Sequence, residues 1–263
     1  MARMRRTKDS VRLFLQTRSI DSFQDALDAA KPRPSAGGTQ ADKKNYAQRL
    51  SAALSVLVAN RLRPTFHGIT PLSDGTRQES KARTGKGVKK LDVNYSTPDL
   101  GLALGISVKT LNFRDPGSKR YTKNATRIDN ELRAEASDYH QRQPFAVLAG
   151  VVFVPIDSCD DGNPERKTSK SSFAQIVDGV LKHRAKRGGP EGHRELFECI
   201  YVGLYDHTTE PGSVVFFNVA DEPPSVGRPT ARKGLEVGTR VDPLRDLEGM
   251  LKEIVAVYDA RNP

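Results

Sequence analysis

The sequence predicts a mixed α/β fold in one main body preceded by an N-terminal arm, and three observations carry that prediction. Lys89–Phe113 contains two alternating apolar runs around the turn signal Ser96-Thr97-Pro98-Asp99, the pattern of a half-buried hairpin. Phe145–Ile156 is a near-continuous apolar run rich in β-branched residues, as expected of a strand covered on both faces. Tyr46, Leu50, Leu54, Leu57 and Val58 recur at helical spacing and mark the core face of a helix.

Taken in order, residues 1–31 predict one or two helices with Val11, Leu13, Phe14, Phe23 and Leu27 as apolar contacts. Lys31–Gln40, KPRPSAGGTQ, is a linker by composition. The chain therefore divides into an arm and linker over 1–40 and a main domain over 41–263. The arm can pack on the body, swap to a second copy, or carry charge to a polyanion, and composition does not choose. Asp42–Arg63 is the helix with the apolar stripe, with Asp42 as its N-cap and Pro64 past its end. Asn45, Gln48 and Asn60 are its side-chain amides. Pro71–Val88 is polar and Gly-rich, a loop or a weak strand pair.

In the hairpin, Leu91, Val93 and Tyr95 share one face, with Asp92, Asn94 and Ser96 on the other. Leu102, Leu104, Ile106 and Val108 alternate with Gly101, Ala103, Gly105, Ser107 and Lys109. A four-residue loop, Thr97–Leu100, sets Asp92 opposite Gly105 and diagonal to Ser107, with Lys109 one step further along the same face. Arg114–Lys123 is a basic loop, and Thr126–Gln143 is a helix stopped by Pro144. Glu131 and Glu135 lie one turn apart on that helix. A polar loop over Asp157–Ser171 and a helix over Ser172–Arg187 follow. Leu196–Asp206 and Ser213–Ala220 read as strands, and Asp242–Arg261 as a closing helix with Leu244, Leu247, Leu251, Ile254 and Val255 along one side.

The net charge of +10 favours a polyanionic partner. No long apolar stretch follows the basic start MARMRRTKD, so neither a secretory leader nor a membrane span is expected. Cys159 and Cys199 have no metal-ligand spacing, and two cysteines in a chain of this length fit a reducing, cytoplasmic compartment. The Gly-rich Thr84-Gly85-Lys86-Gly87 lacks the spacing of a phosphate-cradling loop.

The hairpin, the helix after it and the buried strand after that resemble the PD-(D/E)xK nuclease superfamily, which includes many restriction endonucleases. The resemblance covers roughly residues 42–156. It implies a restriction-endonuclease-like core, a mixed central sheet flanked by helices. An acid would lie on the second core strand, a (D/E)-x-K on the third, and a fourth strand would run parallel to the third. Here the (D/E)-x-K slot reads Ser107-Val108-Lys109 and holds no carboxylate. Some restriction enzymes share this departure and take the acid from the next helix, where Glu131, Glu135 and Asp129 stand as candidates. Two residues compete for the strand acid. Asp99 matches the literal Pro-Asp. It lies ten residues from Lys109, roughly 33 Å if the strand begins at Leu100, and serves only if the turn falls within Leu100–Gly105. Asp92 pairs back across the hairpin instead.

The resemblance implies Mg²⁺, with Mn²⁺ as a substitute, held by the strand Asp, a helix Glu and the Val108 carbonyl. Lys109 would orient or activate a water, and Ser107 would be a hydrogen-bonding spacer. Without the resemblance, an Asp and a Lys on one sheet face more often form a surface ion pair. Lys86, Lys89, Lys119, Arg120, Lys123, Asn124, Arg127 and Arg142 are the candidates for contact with a DNA backbone. His140 and Arg142 also read as charges complementing the dipole at a helix C-terminus. The expected activity is a Mg²⁺-dependent endonuclease of restriction or defence type acting on duplex DNA, with a homodimer implied if cutting is symmetric. The alternative is a degenerate member that binds DNA or assembles without cutting.

Overall fold

Every residue of Val147–Pro155 is buried, and its side chains leave alternately for two separate cores. Val147, Ala149, Val151 and Phe153 enter one; Leu148, Val152 and Val154 enter the other. A strand with no polar face must lie inside a sheet covered on both sides. The computed structural model describes residues 10–85, 87–162, 169–221 and 244–262.

Among the described residues eight strands form two sheets: β1 (Ser80–Thr84), β2 (Gly87–Leu91), β3 (Val93–Thr97), β4 (Gly101–Thr110), β5 (Val147–Pro155), β6 (Cys199–Asp206), β7 (Ser213–Asn218) and β8 (Leu244–Arg245). β1 and β2 make a separate antiparallel ribbon, and β3-β4-β5-β6-β7-β8 is a six-stranded sheet in sequence order. β4, β5 and β6 are mutually parallel, β3 runs antiparallel to β4, and β7 and β8 each run antiparallel to the strand before them. The sheet is therefore mixed.

Helices cover both faces. On one lie α1 (residues 10–15), α2 (Phe23–Ala30), α3 (Gln40–Leu62) and α6 (Leu247–Arg261), sharing the core that contains Val11, Phe23, Leu54 and Ile254. On the other lie α4 (Ala125–Arg142) and α5 (Ser172–Ile176), through Leu132, Tyr139 and Phe173. The described part of the arm packs on the body: Phe23 stacks on Phe153 at 6.4 Å, and Gln24 Oε1 accepts the Gly212 N–H. Among the described residues no helix is long and apolar enough to cross a membrane. Cys159 and Cys199 are both buried and form no disulfide.

Several local expectations need correction. α3 is capped by Thr39, whose Oγ1 accepts the Asp42 N–H at 3.1 Å, so Asp42 is the third helical residue and not the cap. The segment after Ile176 leaves the α-helix for a π-turn over Val177–Leu181 and a 3₁₀ turn over Lys182–Arg184. Leu244 belongs to β8, and the last helix starts after its cap, Asp246; Asp242 lies outside the described residues.

The hairpin register also differs. Asn94, not Asp92, faces Gly105, and Val93 faces Ile106. The shift is two residues, so side chains keep their faces. Between Tyr95 and Ser96 the pairing jumps from Leu104 to Leu102, leaving Ala103 as the extra residue of a bulge. Leu102 is thereby turned to the α4 side, away from Leu104, Ile106 and Val108. The bend at Asp92 likewise puts Leu91 on the α4 side, apart from Val93.

Candidate active site

The site forms where β3 stops pairing with β4. The Leu111 N–H bonds to Phe153 O, so odd-numbered residues of β4 address β5 and even-numbered ones the β3 side. β3 pairing ends at Val93–Ile106, which leaves Val108 without a strand partner there. Its N–H donates to Asp92 Oδ2 at 2.8 Å, and its carbonyl accepts from Ser51 Oγ of α3 at 3.2 Å. Asp92 thus sits at the bend between β2 and β3 and replaces the missing ladder bond.

On the α4 face of β4, Ser107 and Lys109 point to the helix. Ser107 Oγ donates to Glu135 Oε2 at 2.6 Å, and Lys109 Nζ donates to Glu135 Oε1 at 2.6 Å. Glu131, one turn earlier, lies 3.7 Å from Lys109 Nζ. The Lys109 side chain is 16% exposed and that of Glu135 20%, so the pair is largely withdrawn from water. Burial pushes the Asp92 carboxyl up to about 6, although Lys109 and the Val108 N–H pull the other way. For Lys109 burial acts to lower the pKa, but Glu135 and Asp92 outweigh it and the ammonium is held above its ordinary value.

The structure brings together Asp92, Ser107, Val108, Lys109, Glu131 and Glu135. It does not bring Asp99, which is exposed in the turn between Thr97 and Gly101. Eight residue steps separate Gly101 from Lys109, about 26 Å of extended chain. Asp129 is engaged by Arg184 at 2.5 Å.

Asp92, Lys109 and Glu131 open on a cleft of about 810 Å³. Arg120, Lys123, Asn124 and Arg127, four of the candidates for backbone contact, line it. Arg120 is anchored to Lys170 O at 2.5 Å, Lys123 pairs with Asp115 at 2.5 Å, and Arg127, 70% exposed, reaches Glu131 at 3.4 Å. Other expected contacts fall elsewhere. Lys89 pairs with Asp138 of α4 and does not line the cleft. Lys119 is exposed outside it. Arg142 is exposed seven residues past Glu135, about 10 Å along the helix. Lys86 lies outside the described residues. His140 is buried: Nδ1 meets Arg194 O at 3.1 Å and Nε2 lies 3.5 Å from Glu198, so its role is in the core and not as a solvent-facing charge at the helix end.

Of the opposite wall, the sequence offered only Gln48, one of the side-chain amides of α3. Lys44, Gln48, Ser51 and Ser55 of α3 line the cleft. Their spacing of four, three and four is a helical face in its own right, the polar complement of the apolar stripe, and could have been found. Tyr139 was also missed. Its hydroxyl is buried with no hydrogen-bond partner among the described residues, and the charges of Glu135 and Asp92 raise its pKa after burial has done so.

The donor set suits a hard divalent cation in kind. Carboxylate oxygens of Asp92 and Glu135 and a carbonyl free of sheet pairing are ligands that Mg²⁺ accepts, with water completing its octahedron. Among the described residues no three His, Cys, Asp or Glu side chains are already gathered at metal-holding spacing. Comparison with protein-family models, with curated proteins and with solved structures gave no match.

Proposed function

We propose that the chain is a Mg²⁺-dependent endonuclease acting on duplex DNA, built on a restriction-endonuclease-like core. One observation carries the reading: Asp92 and Lys109 open on a cleft rimmed by cations where β3 stops pairing with β4, and the helix-borne Glu135 holds Lys109 there. An ordinary surface ion pair needs neither the break in β3 pairing nor the cleft.

Asp92 and Glu135 would hold the cation, with the Val108 carbonyl as a third oxygen. When bound, the cation would supply charge neutralisation at the phosphorus and a more acidic water. Ser107 fixes the Glu135 carboxylate from one side, which keeps it directed at β4. Lys109, kept protonated by its carboxylate neighbours, would steady charge on the phosphate and orient the attacking water. Arg127, Lys123 and Lys44 would meet the backbone phosphates.

The second reading is a DNA-binding or assembly subunit that has lost catalysis. It is favoured by the engagement of both Glu135 oxygens, one by Ser107 and one by Lys109. Incubation of purified protein with plasmid and Mg²⁺ or Mn²⁺ separates the two. The nuclease reading expects nicking or linearisation that EDTA stops. Salt-sensitive retention of DNA with no cutting under any divalent ion would leave the binding subunit.

A further inference from the structure

A second pocket, of about 660 Å³, adjoins the cleft, and Asn112, Phe113, Arg114 and Tyr121 line both. Its volume is within the range of small-ligand sites, about 300–1,000 Å³. Rings of Phe113, Tyr121, Tyr205 and His207 wall it, with Arg33 from the linker at its side. The Arg33 guanidinium lies 4.7 Å from the Phe113 ring centre and donates to Asn112 O at 2.6 Å and Tyr46 Oη at 3.2 Å. Among the described residues no carboxylate pairs with it. A half-buried cation without a counter-ion is costly unless an anion visits. The His207 ring also makes no hydrogen bond among the described residues; burial first, and then Arg33, hold its pKa below the ordinary value against the pull of Asp157 and Asp206. Two carboxylates also line the pocket, but each is engaged, Asp157 by Arg114 at 2.7 Å and Asp206 by the Thr208 hydroxyl at 2.6 Å. Aromatic walls with a guanidinium that has no counter-ion are the chemistry that receives a base and its phosphate.

We propose that this pocket receives one unstacked nucleotide of the strand lying in the cleft. The inference rests on the nuclease reading. Asn112 is three residues beyond Lys109, about 10 Å along the chain, so the displaced nucleotide would be a near neighbour of the phosphate held at Lys109. A base leaves the stack at least cost where it is already unpaired. The preferred substrate is then a duplex carrying one unpaired nucleotide close to the cut.

The test is binding of the whole chain, in EDTA, to two labelled duplexes identical except for one unpaired nucleotide, read by fluorescence anisotropy. The expected result is about tenfold tighter binding of the interrupted duplex, the lower part of what one base on aromatic rings contributes. Arg33→Gln and His207→Ala should each erase that preference and leave affinity for the paired duplex unchanged. Should Arg33→Gln misfold once its tyrosine partners are released, His207→Ala alone decides. Equal affinity of the wild type for both duplexes overturns the pocket and leaves the cleft reading intact. Absence of binding to either at low salt overturns both. A preference that survives in the variants also overturns the assignment. Saturable binding of free deoxyadenosine monophosphate without a gain for the interrupted duplex would assign the pocket to a free nucleotide, against the proposal.

Discussion

Lys109 Nζ lies 2.6 Å from Glu135 Oε1 although 26 positions separate the two residues. The strand holds the lysine, the helix holds the carboxylate, and Ser107 donates to the other oxygen of the same carboxylate. Charge at Lys109 is then expected to matter more for rate than for folding. Lys109→Met keeps the aliphatic stem and should lower the single-turnover cleavage rate by about 10²–10³-fold, the range for losing one preorganised charge-stabilising donor. Circular dichroism should show the same secondary structure as the wild type. Cleavage at the wild-type rate would remove Lys109 from the chemistry.

The two candidate strand acids make opposite predictions. Asp92 accepts the Val108 N–H beside Lys109, whereas Asp99 is exposed in the turn before the far end of the same strand. Asp92→Asn retains an acceptor for Val108 but not the charge, and should abolish metal-dependent cutting. Asp99→Asn should cut as the wild type does. Plasmid nicking at matched concentrations measures both, and loss of cutting in Asp99→Asn alone would move the site to the turn.

The cleft lining orders the basic residues. Arg127 and Lys44 face the cleft, while Lys89 is bound to Asp138 and Arg142 lies beyond it. A side chain that neutralises one phosphate adds about 1 to the slope of log affinity against log salt, and its removal should lower that slope by the same amount. Arg127→Gln and Lys44→Gln should each weaken duplex binding in this way, and Lys89→Gln and Arg142→Gln should not. Titrations at several salt concentrations decide, and equal slopes for all four variants would contradict the cleft as the DNA path.

How much of this was legible in the sequence follows from what each element obeys. β5 was readable because burial on both faces leaves no polar residue to obscure it. The shared face of Ser107 and Lys109 was readable because parity survives a register error of two, whereas Asp92 sits at a bend where the alternation breaks. The bulge at Ala103 was not, since it depends on how β4 leaves the turn, and no residue type marks it. Lys89 reads as a free cation in sequence, yet Asp138 lies 49 positions away and only the fold brings it near. Arg33 is the converse: a linker residue by composition, held over Phe113 by partners drawn from across the chain.

Glu198 gives the core a pH dependence. Burial alone would raise its carboxyl, but His140 at 3.5 Å, the Leu148 N–H at 2.8 Å and Arg261 at 3.2 Å more than offset it, with Arg187 also at 3.2 Å, and the net shift is downward from 4.5. A carboxyl whose folded pKa is depressed binds fewer protons in the folded state than in the unfolded. Its stabilisation is present above the ordinary value and is lost as pH falls through the folded one. Urea midpoints of wild type and Glu198→Gln should therefore differ at pH 7 and converge toward pH 3. A constant difference across that range would show that the charge on Glu198 contributes nothing.

Phe23 tests whether the arm belongs to the fold or merely rests on it. Its ring is 7% exposed, stacks on Phe153 of β5 and meets Tyr205 of β6 at 5.7 Å, so it seals the middle of the sheet and not an edge. The helix that carries it is fixed independently by a reciprocal cap between Ser22 and Asp25. Truncation should then leave the helix in place and open a cavity beneath it. Phe23→Ala is expected to cost about 3–5 kcal/mol of unfolding free energy, in the range for a buried aromatic. An arm that only leaned on the surface would lose less than about 1 kcal/mol. Denaturant unfolding separates the two outcomes. Because Tyr205 also donates to Asn112 Oδ1 at 2.9 Å, the larger loss should be accompanied by weaker order in the segment that joins the two pockets. Hydrogen exchange at Asn112 and Phe113 would report that coupling directly.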